Sequence, residues 1–93
     1  MDLDETILDN SQYQVENFTN GTSFNMDSWA DWVNRKEAAL VPGSKNFIDL
    51  LRKSDIQLIF ISNRMHERLD ATKENLMKLD VYNENDIYLL RLN

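Results

Sequence analysis

Asp2-Leu3-Asp4-Glu5-Thr6 sets two carboxylates two residues apart, and Ser62-Asn63-Arg64 follows the apolar run Ile56 to Ile61. Two such carboxylates facing a hydroxyl across a sheet are the parts needed to take a phosphoryl group onto aspartate. An aspartate that attacks phosphorus stays ionised beside an anionic substrate, and Mg²⁺ held by carboxylates offsets the repulsion. Asp2 fits the nucleophile. Asp4 fits the group that holds the leaving oxygen's proton and takes one back from water. Thr6 is placed to fix the turn through a side-chain to backbone bond, and Ser62 to donate its hydroxyl to a phosphate oxygen beside the N–H groups of the following helix start.

A D-x-D-x-T string is weak by itself in a chain with 16 Asp and Glu. The rival is a calcium loop of the EF-hand type, which needs glycine at its sixth position and glutamate at its twelfth. Ile7 and Tyr13 stand there instead, so that rival is poor.

The elements that must position these residues read as α/β. Asn17 to Asp27 is rich in Asn, Thr, Ser and Gly and reads as a loop; Asp27 or Ser28 then caps a helix through about Ala39. Pro42 suits the first turn of a second helix, in which Phe47, Leu50 and Leu51 form the stripe facing the sheet, ending at Lys53 and Ser54. Ile56 to Ile61 reads as a central strand buried on both faces. The spacing Leu69, Thr72, Leu76, Leu79 predicts an amphipathic helix, and Ile87 to Leu90 predicts another parallel strand. Strands separated by helices imply crossover connections, with ligands outside the strand carboxyl ends.

At 93 residues with 42% apolar side chains, the chain makes one domain at most, burying roughly 60 to 65% of its unfolded surface. A net charge of −6 argues against nucleic-acid polymers and anionic membranes as partners. Without cysteine there is no thiolate nucleophile and no Cys-based zinc site. The longest apolar run, Leu58 to Ile61, is too short for a membrane span.

The longer pattern is specific: Asp2-Leu-Asp-Glu-Thr-Ile-Leu-Asp-Asn-Ser11, Tyr13, Trp29-Ala-Asp-Trp32, Ala39-Leu-Val-Pro-Gly43 and Ile59-Phe-Ile-Ser-Asn-Arg64 in that order. It resembles the class C (subfamily IIIB) acid phosphatases of the haloacid dehalogenase superfamily, the group that includes lipoprotein e (P4), over nearly all of the chain. The resemblance implies a partial Rossmannoid parallel sheet with a small helical cap inserted after the first motif, at about residues 12–41, and core elements over 42–93. It also implies Mg²⁺-dependent hydrolysis of phosphomonoesters such as nucleoside 5′-monophosphates. Asp2 would be nucleophile and metal ligand. Asp4 would be general acid/base, with its carbonyl on the metal. Ser62, Asn63 and Arg64 would bind phosphate, and Asn10, Tyr13, Phe24, Trp29 and Trp32 would contact substrate. A cell-envelope or secreted location and a homodimeric parent go with the family.

Two departures stand out. The family's buried strand before the first motif is represented by Met1 alone, and the lysine and acidic pair expected after the second motif do not appear by Asn93. The chain therefore reads as a fragment with two of four motifs, inactive and marginally stable alone, with an exposed apolar sheet face. A non-catalytic remnant or binding module, and a phosphotransferase of the same superfamily, are the alternatives.

Several residues keep a plainer reading. Trp29 and Trp32 suit core packing as well as base stacking. His66 suits a solvated helix start, and Asn10 and Ser11 suit a turn. Arg64 is either a phosphate ligand or the partner of a carboxylate such as Asp9.

Overall fold

A computed structural model describes residues 1–92. Its spine is a parallel pair of strands, β3 (Ile59–Met65) and β4 (Ile87–Arg91), joined through a 3₁₀ turn at His66–Arg68 and helix α4 (Leu69–Lys78). Ile59 faces Ile87, Phe60 faces Tyr88 and Ile61 faces Leu89; the register then slips, so Ser62, Asn63 and Arg64 have no partner in β4 before Met65 meets Arg91. On the other side of β3, the chain start lies parallel to it through an Asp2–Ile61 bridge, and Ile61 N–H donates to the Met1 carbonyl at 2.8 Å. Residues 1–4 thus supply a third strand-like row beside the expected pair.

A second, antiparallel pair joins β1 (Leu8–Asp9) to β2 (Ala39–Leu40), with Leu8 opposite Leu40. Everything between them, helices α1 (Ser11–Thr19) and α2 (Met26–Arg35), is carried on this two-strand base. Helix α1 falls within the small helical cap that the family resemblance implies, but no residue spacing signals it. It buries only Tyr13, so its sequence has little apolar periodicity to betray it, and the loop expected from Asn17 begins only after it. Helix α2 is capped two to three residues earlier than expected, because Asn25 accepts the Ser28 N–H at 2.8 Å. It stops at Arg35, short of Ala39, because Lys36 adopts a left-handed φ of 58° and turns its N–H to the Val33 carbonyl.

Pro42 precedes helix α3 (Ser44–Lys53) and does not open it. Pro42-Gly43 forms the centre of a turn closed by Ser44 N–H on the Val41 carbonyl, and the φ of +84° at Gly43 suits glycine. The buried stripe of α3 is Ser44, Ile48 and the half-buried Leu51, while Phe47 and Leu50 point outward, a rotation of the expected face. Helix α4 buries Ala71, Thr72, Asn75 and Leu76, with Leu69 and Leu79 half-buried, as its spacing required.

The core joins Leu3, Ile7, Leu8, Trp32, Val33, Ile48, Phe60 and Leu76 into one cluster. Strand β3 contributes Leu58 and Phe60 from its approach and inner face, whereas Ile59 and Ile61 beside Ile87 and Leu89 stay exposed. The expected burial on both faces is therefore met on one only. The strand also begins at Ile59, not Ile56, and runs on to Met65. No helix among the described residues is long and apolar enough to cross a membrane.

Candidate active site

The first motif ends its strand-like row in a tight loop. Three successive N–H groups, of Thr6, Ile7 and Leu8, converge on the Leu3 carbonyl, and Glu5 N–H reaches the Leu8 carbonyl at 2.7 Å. Backbone bonds make this turn, with Glu5 in the left-handed region at φ 63°. Thr6 is exposed and its hydroxyl makes no hydrogen bond among the described residues, so the expected side-chain bracing is absent. Because Asp2 is bridged to Ile61, the Asp4 carboxylate arrives beside Ser62 from 58 residues away.

A cleft of about 180 Å³ is lined by Asp2, Leu3, Asp4, Ile61, Ser62 and Asn63. Asp2 is exposed, and among the described residues no hydrogen bond or ion pair engages its carboxylate. Asp4 is heavily engaged. Its Oδ1 accepts from Asn10 Nδ2 at 2.8 Å and from Arg64 at 2.8 and 3.1 Å, while Oδ2 takes the Ser62 hydroxyl at 3.4 Å and shares Arg64 Nε at 3.1 Å. The Ser62 hydroxyl in turn accepts the Arg64 N–H at 3.0 Å.

Arg64 is 2% exposed, and its remaining bond runs from Nη1 to Thr72 of α4 at 3.0 Å. Its guanidinium lies over the Trp29 ring at 5.6 Å from the centroid. The carboxylate partner is thus Asp4, not Asp9, which instead accepts the Ser11 N–H at 2.8 Å.

Asn10, expected at the substrate, is buried and spent on the protein. Its Nδ2 donates to Asp4 and to Glu5, both at 2.8 Å, and its Oδ1 accepts the Trp32 indole N–H at 2.8 Å. Trp32 is 2% exposed and belongs to the core, which removes it from stacking on a ligand. Tyr13, Phe24 and Trp29 do come together, with Tyr13 edge-on to Trp29 at 5.3 Å and Phe24 6.2 Å from Trp29. They line a second cavity of about 510 Å³ that also touches Asp4, Glu5 and Phe18. His66 is exposed in the turn after β3.

Glu5 and Phe18 escaped the reading of the sequence. Glu5 carries the bond to Asn10, a role hidden inside the acidic string, and Phe18 sits on the helix that had no periodicity.

Mg²⁺ accepts one or two protein carboxylates and fills its other positions with water and substrate phosphate. The unengaged Asp2 carboxylate beside Asp4 fits that sparse set, and among the described residues no cluster of three His, Asp or Glu side chains offers a fuller one.

Fold and cleft together define an α/β protein with paired carboxylates and a hydroxyl at the end of a parallel strand. The chain belongs to the haloacid dehalogenase superfamily, subfamily IIIB (acid phosphatase), whose family model matches residues 1–93. Two solved structures of a class C acid phosphatase from Bacillus anthracis, one with tungstate bound, are 36% identical to it. They superpose with TM-scores of 0.84 and 0.85 over 97% of this chain, which spans 38% of theirs. A stem 31 kDa glycoprotein of Glycine max is 26% identical over 76 residues, 82% of this chain and 30% of that protein.

Proposed function

We propose that this segment is the nucleophile-bearing part of a phosphomonoesterase that works through an aspartyl-phosphate. The observation that carries the reading is the cleft in which the unengaged Asp2 carboxylate lies with Asp4 and Ser62. An Asp2 carboxylate oxygen attacks phosphorus, the ester P–O bond breaks, and the departing alcohol oxygen takes its proton from Asp4. Asp4 then accepts a proton from water as the water oxygen bonds to phosphorus and the acyl-phosphate P–O bond breaks, releasing inorganic phosphate and restoring Asp2.

Ser62 and Asn63 line the same cleft and are assigned to the phosphate oxygens. Asp2 and the main chain at Asp4 would hold Mg²⁺, which supplies positive charge against the phosphate. Tyr13, Phe24 and Trp29 would offer flat faces to a nucleobase, making a nucleoside monophosphate the favoured substrate class. An envelope or secreted location accompanies this reading.

The test is trapping. A phosphatase-active protein carrying this segment, acid-quenched during turnover of p-nitrophenyl phosphate, should hold one phosphate on the peptide containing Asp2. Asp2→Asn should abolish both label and turnover; turnover surviving that substitution would sink the assignment. Transfer of the trapped phosphate to added alcohols in preference to water would favour the phosphotransferase alternative.

A further inference from the structure

Both tryptophans of α2 end, by separate routes, on the same carboxylate. Trp32 donates its indole N–H to Asn10 Oδ1, and Asn10 Nδ2 donates to Asp4 Oδ1, each at 2.8 Å. One turn earlier, Trp29 lies under the Arg64 guanidinium, and Arg64 binds Asp4 through Nε and Nη2. The far side of Arg64 is tied to Thr72 on α4, so it cannot swing away without breaking a buried bond.

The strong donors crowd one oxygen. Oδ1 receives Asn10 and Arg64 Nη2, whereas Oδ2 has the longer Ser62 contact and a shared Arg64 bond. Such asymmetry constrains the plane of the carboxylate and leaves Oδ2 the less engaged oxygen, on the side of Ser62, which lines the cleft.

We propose that Asn10 and Arg64 are positioning residues for Asp4, held in place by Trp32 and Trp29, so that helix α2 sets the direction of the proton-transferring oxygen. The inference rests on the reading of Asp4 as the acid/base. It gives the inserted helices a part in the chemical step, separate from any contact between aromatic rings and substrate. A transferring atom displaced by a fraction of an ångström loses rate without losing substrate affinity.

Trp32→Phe removes the indole N–H and keeps an aromatic ring; Arg64→Lys keeps the charge and removes the fork. In a phosphatase-active protein carrying this segment, each should lower kcat for p-nitrophenyl phosphate on the order of tenfold with KM unchanged. In Arg64→Ala, added methylguanidinium should restore part of the lost kcat. Raised KM with wild-type kcat in both variants would make these residues substrate contacts and overturn the proposal. Asp4→Asn separates the two failures. Wild-type turnover in that variant sinks the acid/base reading itself, whereas its loss alongside wild-type kcat in Trp32→Phe and Arg64→Lys sinks only the positioning role. NMR of the same phosphatase-active protein gives an independent arm. Trp32→Phe should shift the Asn10 side-chain amide, and Asp4→Asn should speed solvent exchange of the Arg64 Nε–H; no change in either signal would refute the relay.

Discussion

Asn75 and Ala38 exchange two hydrogen bonds as if they were neighbours in a sheet: the Ala38 N–H donates to Asn75 Oδ1 at 3.1 Å, and Asn75 Nδ2 donates to the Ala38 carbonyl at 3.0 Å. All four atoms are buried, and the pair fastens the end of the inserted segment to α4. Asn75→Ala strands a buried donor and a buried acceptor, each costing about 1–3 kcal/mol. The expected loss is about 3 kcal/mol by urea unfolding. Asn75→Asp should cost at least as much, because it sets a buried, unpaired carboxylate against the Ala38 carbonyl. A loss in Asn75→Ala no larger than that of an exposed substitution such as Glu84→Ala would show that water replaces the bonds.

Acid should weaken the chain in part through identifiable exposed carboxylates. The Ser11 backbone N–H holds Asp9 below the ordinary carboxylate range, and hydrogen bonds from Arg35 do the same for Glu16 and Glu37. Groups with depressed folded values contribute stability that is complete above their unfolded values, about 3.9 to 4.3, and lost as pH falls through the folded ones. Thermal stability should hold down to about pH 5 and decline toward about pH 3. Arg35→Ala should flatten that decline; an unchanged slope would exclude the Arg35 cluster as its source.

Tyr88 sets the opposite limit. Burial in the β3–β4 layer pushes its phenol above the usual tyrosine value, and its buried hydroxyl has no hydrogen-bond partner among the described residues. The raised value favours the neutral form, so this contribution is complete below about pH 10 and lost as pH rises further. Tyr88→Phe should leave neutral-pH stability level or slightly higher and delay alkaline unfolding. A clear loss of stability at pH 7 would reveal a bonded hydroxyl.

Arg52 holds Asp86 through two bonds of 2.8 and 2.9 Å and adds a third to the Val81 carbonyl, linking α3 to the start of β4. The Asp86 side chain is 2% exposed, so removing Arg52 leaves a buried carboxylate unpaired. Arg52→Ala should cost about 3 kcal/mol, while Lys45→Ala, whose partner Asp80 is exposed, should cost less than about 0.5. Equal costs would mean that the burial of Asp86 gives its ion pair no special weight.

Legibility in the sequence followed the strength of the periodic signal. Leu69 to Leu79 announced α4 because one apolar face repeats at the helical period, and Ile87 to Leu90 announced β4 as a short continuous apolar run; the family pattern pointed to Asp2, Asp4 and Ser62 as site candidates. Helix α1 was invisible because only Tyr13 turns inward, and the face of α3 was misread because Phe47 and Leu50 lie outside. Within the site, residue type was legible and direction was not. Asn10 and Trp32 are the right residues for recognising a ligand, yet their donors and acceptors are satisfied by one another and by Asp4, a pairing across 22 residues that no local spacing encodes.

The Asp4–Arg64 pair closes a loop of 60 residues, and the Met1 nitrogen reaches the Ile59 carbonyl across 58. Bringing such distant ends together costs about 3–4 kcal/mol of chain entropy beyond a length-independent constant. Helices and the β3–α4–β4 unit form from nearer contacts, so the row carrying Asp2 and Asp4 docks late. Asp2 and Asp4 precede Ser62 and Arg64 by about sixty positions in the chain, so the cleft cannot close until β3 has formed to receive them.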